Sequence, residues 1–362
     1  MYSSTKTPGL QHQGFIEPFF KINLFLFIRS MKNLIAELIL ISLLTAVVLL
    51  GIHEYSSSPS YTPVVERTEQ VMGTYASITI CDRNTTRANL ALDAAFEEIK
   101  RIDTLMSLYN ESSEVAALNR NGMNWTPLSS DTIYVLTKAG YYSRLSNGSF
   151  DITCNPLVQL WMVKVREEHR MPTPDEIKEA SELVGYEHLI INEELSRARF
   201  DKEGMSITLG GIAKGYAVDR ACEILLEAGI KHALVNIGGD MRAVGDKNGA
   251  PWEVALQNPR NKAEFILLLE LENESVATSG DYERYFFLKD RIHHIINPKT
   301  GHSADECMSV TVITPRCIDA DALATAVFVL GPEEGKALLD ERGLKGLIIA
   351  SDKRLIKSEA FR

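Results

Sequence analysis

Ser206 to Gly229, SITLGGIAKGYAVDRACEILLEAG, opens on a short strand-like run, Ser206 to Leu209, and passes through Gly210, Gly211, Ile212, Ala213, Lys214 and Gly215. A helical pattern follows from Tyr216, with apolar residues at Ala217, Ala221, Ile224 and Leu225, and Gly229 stands where such a helix stops. A strand feeding a glycine-rich turn and then a helix gathers backbone N–H groups and the positive helix end at one point. Lys214 adds a mobile cation there. These are the parts of a phosphate cradle, and equally those of a tight turn. The spacing fails the P-loop test, because Gly215 is followed by Tyr216 where Lys and then Ser or Thr should stand, and it is not GxGxxG. A P-loop nucleoside triphosphatase and a dinucleotide-fold dehydrogenase are therefore disfavoured.

On either side of this stretch the chain mixes strands and helices. VMGTYASITI alternates as a strand with Met72, Gly73 and Thr74 at its head, and a long amphipathic helix follows Asn84 and Thr85. A second helix is expected near Asp131 to Leu145, before Asn147 and Gly148 break the chain. The charged segment Glu167 to Leu183 carries PTPDE, a helix-start signal with an early Pro. Downstream, HALVNIGGDMRAVG reads as a strand turning at Gly238–Gly239, and WEVALQNP as another strand. Several strands follow through IINPKTG, then the strand SVTVITP, the helix DADALATAVFVLG stopped at Gly331–Pro332, a further helix and the strand GLIIAS. With no regular βαβ alternation and no internal repeat, this order predicts an α+β fold.

Composition narrows the class. The chain has 362 residues, 45% hydrophobic and 24% charged, which suits one large or two modest globular domains. Its net charge of −10 argues against a nucleic-acid binder. Cys81, Cys154, Cys222, Cys307 and Cys317 form no CxxC or Cys/His cluster, which disfavours zinc, and their odd number excludes a fully paired disulfide framework. Lys32 flanks an apolar run from Leu34 to Ile52 that is long enough to span a bilayer, and a Ser- and Pro-rich linker follows. The run lacks a lipoprotein Cys and a small-x-small cleavage site, so an uncleaved anchor is favoured over a removed signal peptide. Residues 1–33 are read as an N-terminal extension, 34–52 as the anchor, 53–63 as the linker and 64–362 as the working domain. That domain is expected outside the cytoplasm, at the inner membrane or its periplasmic face.

Several side chains could carry chemistry. Asp321 and Thr325 stand at i and i+4 on the helix near Asp319 to Leu330, so one face presents a carboxylate beside a hydroxyl. Such oxygen ligands suit Mg²⁺, although capping or a solvated face explains the pair as well. Asp319 is a second possible cap. His293–His294 could supply an acid or base, or a satisfied structural histidine. Asp281 and Arg284 could position an anion or pair with each other. NIGGD, Asn236 to Asp240, sets glycines beside a carboxylate, and Asp151 could read a base or sugar or close a turn.

In sequence order, the set MGT (Met72 to Thr74), MSLYN–SSE–LN (Met106 to Asn119), GSFDIT–PL–W (Gly148 to Trp161), GGIAKGYAVD, NIGGD, SGDYERYF, HIINPKTG and DALAT resembles the FAD:protein FMN transferase, or ApbE, family from about Val64 to Ile348. The resemblance implies largely antiparallel, mixed sheets flanked by helices. It implies an Mg²⁺-dependent transfer in which FAD is split at its pyrophosphate, AMP leaves, and FMN is joined to a Thr hydroxyl in a DGxSxAT-like motif of a target protein, such as an Nqr- or Rnf-type redox subunit. It assigns Met72, Tyr109, Ser149, Phe150, Asp151, Thr208, Lys214 and Ile296 to FAD. Asp321, Thr325 and the Gly211 carbonyl fall to the metal, with His294 and Asp321 as candidates for removing the Thr proton. Two positions depart from the family pattern, Thr208 where many members have Asp and Asn297 in place of the Asp of HIIDP. An FAD pyrophosphatase and a non-catalytic FAD-binding protein are the rival readings.

Overall fold

Thr74–Cys81, the alternating run of the sequence, is the second strand (β2) of a hairpin whose first strand is β1, Val64–Val71. The computed structural model describes residues 62–282, 285–287 and 291–361, together with 31, 38–40, 42–43 and 45–46. The chain divides into two units, Met1–Tyr61 and Thr62–Arg362. The described residues of the first unit are helical. Most of the expected anchor and nearly all of the linker and the extension lie outside the described residues, among which no helix is long and apolar enough to cross a membrane.

In the second unit a small sheet is made by β3 (Thr126–Pro127), β4 (Leu189–Asn192) and β5 (Arg197–Phe200). There follow β6 (Ala233–Ile237), β7 (Asp240–Val244), a hairpin of β8 (Trp252–Asn258) and β9 (Asn261–Leu271), and β10 (Ser275–Gly280). β11 (Tyr285–Phe287) pairs with β12 (Arg291–His293), and β13 (Cys307–Thr314), β14 (Lys345–Ala350) and β15 (Leu355–Lys357) complete the set. Among the described residues the main sheet has eight strands in the order β1-β2-β6-β7-β10-β13-β14-β15, each paired antiparallel with its neighbour. The helices are α1 (Thr85–Met106), α2 (Glu114–Asn121), α3 (Ser130–Leu145), α4 (Asn155–Trp161), α5 (Pro174–Ser181), α6 (Ala213–Glu227), α7 (Cys317–Leu330) and α8 (Pro332–Glu341). The result is α+β, as the order of elements predicts.

Strand alternation divides the sheet between two cores. Val235, Val312 and Ile348 face a large core shared with α1, α6 and α7. Their neighbours Leu234, Ile313 and Leu347 face the β8–β9 hairpin, where Trp252, Val254 and Leu271 are buried. α7 therefore lies between the sheet and other helices. Ile318, Ala322, Leu323, Ala326, Val327 and Phe328 are all buried, so it is apolar nearly all round. Asp321 is a carboxylate buried inside such a helix, a placement that is costly unless it is partnered.

Local signals explain most helix ends. Asn84 caps α1 by accepting from the Arg87 N–H, and Thr173 and Glu176 form a reciprocal capping box on α5 with Pro174 in its first turn. The five cysteines are free thiols, four of them buried.

Two local readings need correction. Ser206–Leu209 is not a strand: Ile207 exchanges two hydrogen bonds with the Asn119 side chain, at 2.8 and 3.0 Å, and the Thr208 N–H donates to the Ile152 carbonyl at 2.8 Å. Alternation alone could not distinguish a strand neighbour from an Asn side chain playing its part. MGT, in turn, is mostly a turn rather than a strand head. Met72 and Gly73 connect β1 to β2 with φ values of 54° and 69°, and the Met72 N–H donates to Asp103 Oδ2 at 3.0 Å. Positive φ at both residues of a two-residue hairpin loop suits its twist. For Met72 it is a strained conformation held by its surroundings.

Candidate active site

The centre of the site is where α6 begins against α7. The helix starts at Ala213 rather than Tyr216, which puts Lys214 and Gly215 in its first turn. Asp321 comes across from α7: its Oδ2 accepts from the Gly215 N–H at 3.0 Å, and its Oδ1 lies 3.5 Å from Lys214 Nζ. Lys214 also donates to Asp240 at the start of β7. The contact requires glycine at 215. A Cβ there would stand 2.4 Å from the Cys317 carbonyl oxygen and 2.8 Å from Asp321 Cβ.

Gly215→Ala sets two effects against each other. Helix propensity favours alanine by about 1 kcal/mol, whereas overpacking against backbone costs about 1–3 kcal/mol or more. The clash wins, so the variant should show a lower melting temperature together with impaired activity. A melting temperature at or above that of the wild type would contradict this packing.

Opposing charges converge in the cluster. Burial lowers the Lys214 ammonium, but Asp240 and Asp321 outweigh it and hold the proton above its ordinary range. Burial and the charge of Asp321 push the Asp240 carboxyl up to about 7, against the pull of Lys214 and the Thr278 N–H. Both shifts have one origin: a single ammonium serves two buried carboxylates, so the cluster is short of positive charge. Sequence reading noticed Asp240 only as the end of NIGGD. Its pairing with Lys214 spans 26 residues and no local spacing announces it.

Thr325 follows Asp321 by one turn of α7. Its Oγ1 lies 3.1 Å from Ser279 Oγ on β10 and 2.9 Å from where a Cβ on Gly211 would stand, while Phe150 Cε2 is 3.3 Å from that same point. Gly211, Asp321, Thr325, Lys214 and Phe150, proposed from separate motifs, are therefore brought together. Carboxylate, hydroxyl and peptide carbonyl are hard oxygen donors of the kind Mg²⁺ takes, and the missing Cβ of Gly211 leaves the Thr325 oxygen accessible from that side.

Other candidates lie around this centre or serve the scaffold. Phe150 and Ser149 are buried after the turn at Asn147–Gly148, and Phe150 meets the Tyr142 ring edge-on. Asp151 closes a turn: its oxygens accept from the Thr153 N–H at 2.8 Å, the Thr153 hydroxyl at 2.7 Å and the Tyr186 N–H at 2.9 Å. Burial still raises its carboxyl above the ordinary range. Thr208 is half-buried next to that turn, and its hydroxyl accepts a long 3.4 Å bond from the Gly210 N–H. The Met72 turn meets NIGGD, since the Gly238 N–H donates to the Tyr75 carbonyl at 3.0 Å and a Cβ on Gly238 would lie 3.0 Å from the Thr74 side chain. Tyr109 is exposed beside Ser107.

The two histidines separate. His293 is structural: its Nε2–H donates to the Ala304 carbonyl at 2.5 Å, its Nδ1 accepts from the Ile295 N–H, and its ring stands edge-on to Phe328 of α7. These contacts anchor the segment beside the helix that carries Asp321 and Thr325. His294, the next residue, is half-buried. Ile296 packs with Leu157, Trp161 and Ile177, and Trp161 Nε1–H donates to the Gly301 carbonyl at 2.7 Å. Asn297 caps the following turn by accepting from the Lys299 N–H at 2.9 Å, a bond that an Asp would make equally well. Asp281 binds Arg260 through two bonds of 2.7 and 2.6 Å, and Arg284 lies outside the described residues. Asp319 does not cap α7; it accepts from Lys138 at 3.1 Å.

Fold and cluster together define an α+β protein in which buried carboxylates, a lysine and a threonine hydroxyl meet beside the amino end of a helix. Residues 72–348 match the ApbE family. The FAD:protein FMN transferase of Haemophilus influenzae is 31% identical over 318 residues, covering 83% of this chain and 91% of that protein. That of Treponema pallidum is 33% identical over 310 residues, covering 80% and 85%. The crystal structure of the ApbE protein from Thermotoga maritima superposes with a TM-score of 0.77 at 33% identity, over 82% of this chain and 97% of that one. The flavin transferase ApbE of Vibrio cholerae follows at 0.75 and 28%, over 83% and 98%. The chain belongs to the ApbE family.

Proposed function

We propose that this chain is an Mg²⁺-dependent FAD:protein FMN transferase that modifies a Thr hydroxyl in a DGxSxAT-like motif of a partner protein outside the cytoplasm. The observation that carries the reading is the convergence of Asp321, Thr325, Gly211 and Lys214 at the amino end of α6. The similarity to proteins named FAD:protein FMN transferase supports FAD as the substrate. The apolar run from Leu34 to Ile52 supports an extracytoplasmic placement at the membrane.

In the reaction, the acceptor Thr oxygen attacks the phosphorus on the flavin side. The bond from that phosphorus to the bridging oxygen breaks, and AMP leaves with its electron pair. Asp321, Thr325 and the Gly211 carbonyl would hold Mg²⁺, which would supply positive charge to the pyrophosphate. Lys214 gains phosphate oxygens as further acceptors. His294 and Asp321 are the candidates for taking the Thr proton, and a carboxylate of Asp321 committed to the metal would leave that role to His294. Positioning does most of the work, since the enzyme forms no covalent bond.

The test incubates the purified chain with FAD, Mg²⁺ and a small acceptor domain bearing the motif, and then runs the denatured acceptor on a gel. A fluorescent flavin band with the mass of added FMN is expected. It should vanish with EDTA or with Ala in place of the acceptor Thr. Free FMN and AMP beside a dark acceptor would favour the pyrophosphatase, and FAD binding without products would favour storage.

A further inference from the structure

Ser279 opens the SGDYERYF motif, which by itself gives this serine no role, and its hydroxyl is 3.1 Å from that of Thr325. We propose that Ser279 is a positioning residue for the cation site, which accepts the Thr325 hydroxyl hydrogen and so keeps the Thr325 lone pair turned toward the cation. The inference rests on the magnesium reading of Asp321 and Thr325. A hydroxyl that ligates a metal gives up a lone pair and must place its hydrogen elsewhere. Coordination also makes the hydroxyl a stronger donor. Ser279 Oγ is an acceptor for that hydrogen at bonding distance, while Gly211 stands close to the same Thr325 oxygen.

The alternative conformation is specific. A helical Thr divides between two χ1 rotamers because its hydroxyl can donate to a carbonyl three or four residues earlier. For Thr325 these are the carbonyls of Ala322 and Asp321 in α7. Without Ser279 the hydroxyl turns to its own helix and the oxygen leaves the cation. β10 thus serves the site twice, through the Ser279 hydroxyl and through the Thr278 N–H that bonds Asp240.

The experiment titrates Mn²⁺ into the metal-stripped full chain without FAD and follows the free-ion electron paramagnetic resonance signal. Outer partners of metal ligands typically contribute about 10- to 100-fold in affinity. Ser279→Ala should therefore weaken Mn²⁺ binding by about tenfold or more, with an unchanged circular dichroism spectrum. Ser279→Cys, of similar size but a weak acceptor, should also lose affinity, and Ser279→Thr should retain it. Thr325→Val should lose affinity too, and adding Ser279→Ala to it should cost nothing further. Wild-type affinity in Ser279→Ala, or losses that multiply in the double variant, would overturn the proposal and leave the cation site standing. Asp321→Asn is the separate arm: if it binds Mn²⁺ as the wild type does, or if the wild type binds none, the cation reading fails and Ser279 goes with it.

Discussion

Asp321→Asn should lose FMN transfer by on the order of a thousandfold, the scale seen when one preorganised electrostatic group is removed from an active site. The asparagine keeps an oxygen for the Gly215 N–H, now bonded at 3.0 Å, so α6 and α7 should stay together and the melting temperature should change little. What goes is the charge. Asp321→Ala loses the same activity but also strands the Gly215 N–H, an unsatisfied group worth about 1–3 kcal/mol. Comparing the two variants therefore separates chemistry from packing. FAD binding in EDTA gives a further check with a definite sign. With both carboxylates ionised, the Asp240–Lys214–Asp321 cluster carries one excess negative charge that repels a pyrophosphate. Removing Asp321 relieves that repulsion, so metal-free FAD binding should be unchanged or tighter. Weaker metal-free binding, or an Asp321→Asn enzyme with more than about a tenth of wild-type turnover, would contradict the assignment.

What the sequence disclosed was what it encodes locally. Asp321 and Thr325 could be paired because both lie on one helix, and Gly229 and Thr173 mark helix ends because turn and cap chemistry is confined to a few residues. Lys214 was legible as a cation near a helix start, but not as the partner of two carboxylates, since Asp240 and Asp321 are 26 and 107 residues away. The role of Ser279 was hidden for the same reason. Ser279 opens SGDYERYF, but the hydroxyl that gives it its significance is 46 residues downstream. Asp151 shows the reverse: a residue in a telling motif has its oxygens engaged by Thr153 and Tyr186, as its alternative reading as a turn residue anticipated. Local pattern fixes elements and candidate groups, while long-range contacts decide which groups meet.

The residue on which the largest loss of stability should fall lies in the same two helices. α7 has no side-chain cap from its own Arg316, and the service comes from α6. Asp219 is fully buried, and it accepts from the N–H groups of Cys317 and Ile318, each at 3.0 Å, and from Arg242 at 2.6 Å; Arg316 Nε lies 3.6 Å away. Since Asp321 of α7 bonds Gly215 of α6, each helix caps the other. Asp219→Ala removes the acceptor of two helix-end N–H groups and leaves the Arg242 guanidinium without its buried partner. Breaking a buried pair from one side costs about 3–5 kcal/mol. At about 2–4 °C per kcal/mol, that lowers the melting temperature by roughly 6–20 °C. Asp93→Ala is the control, because Asp93 is largely exposed and its bond to Arg67 should be worth less than about 1 kcal/mol. Equal melting shifts in the two variants would show that the buried cap carries no special weight. A second consequence follows from the reciprocity. A loosened α7 start also shifts Asp321 and Thr325, so Asp219→Ala should lose Mn²⁺ affinity even at temperatures where it remains folded, and Asp93→Ala should not.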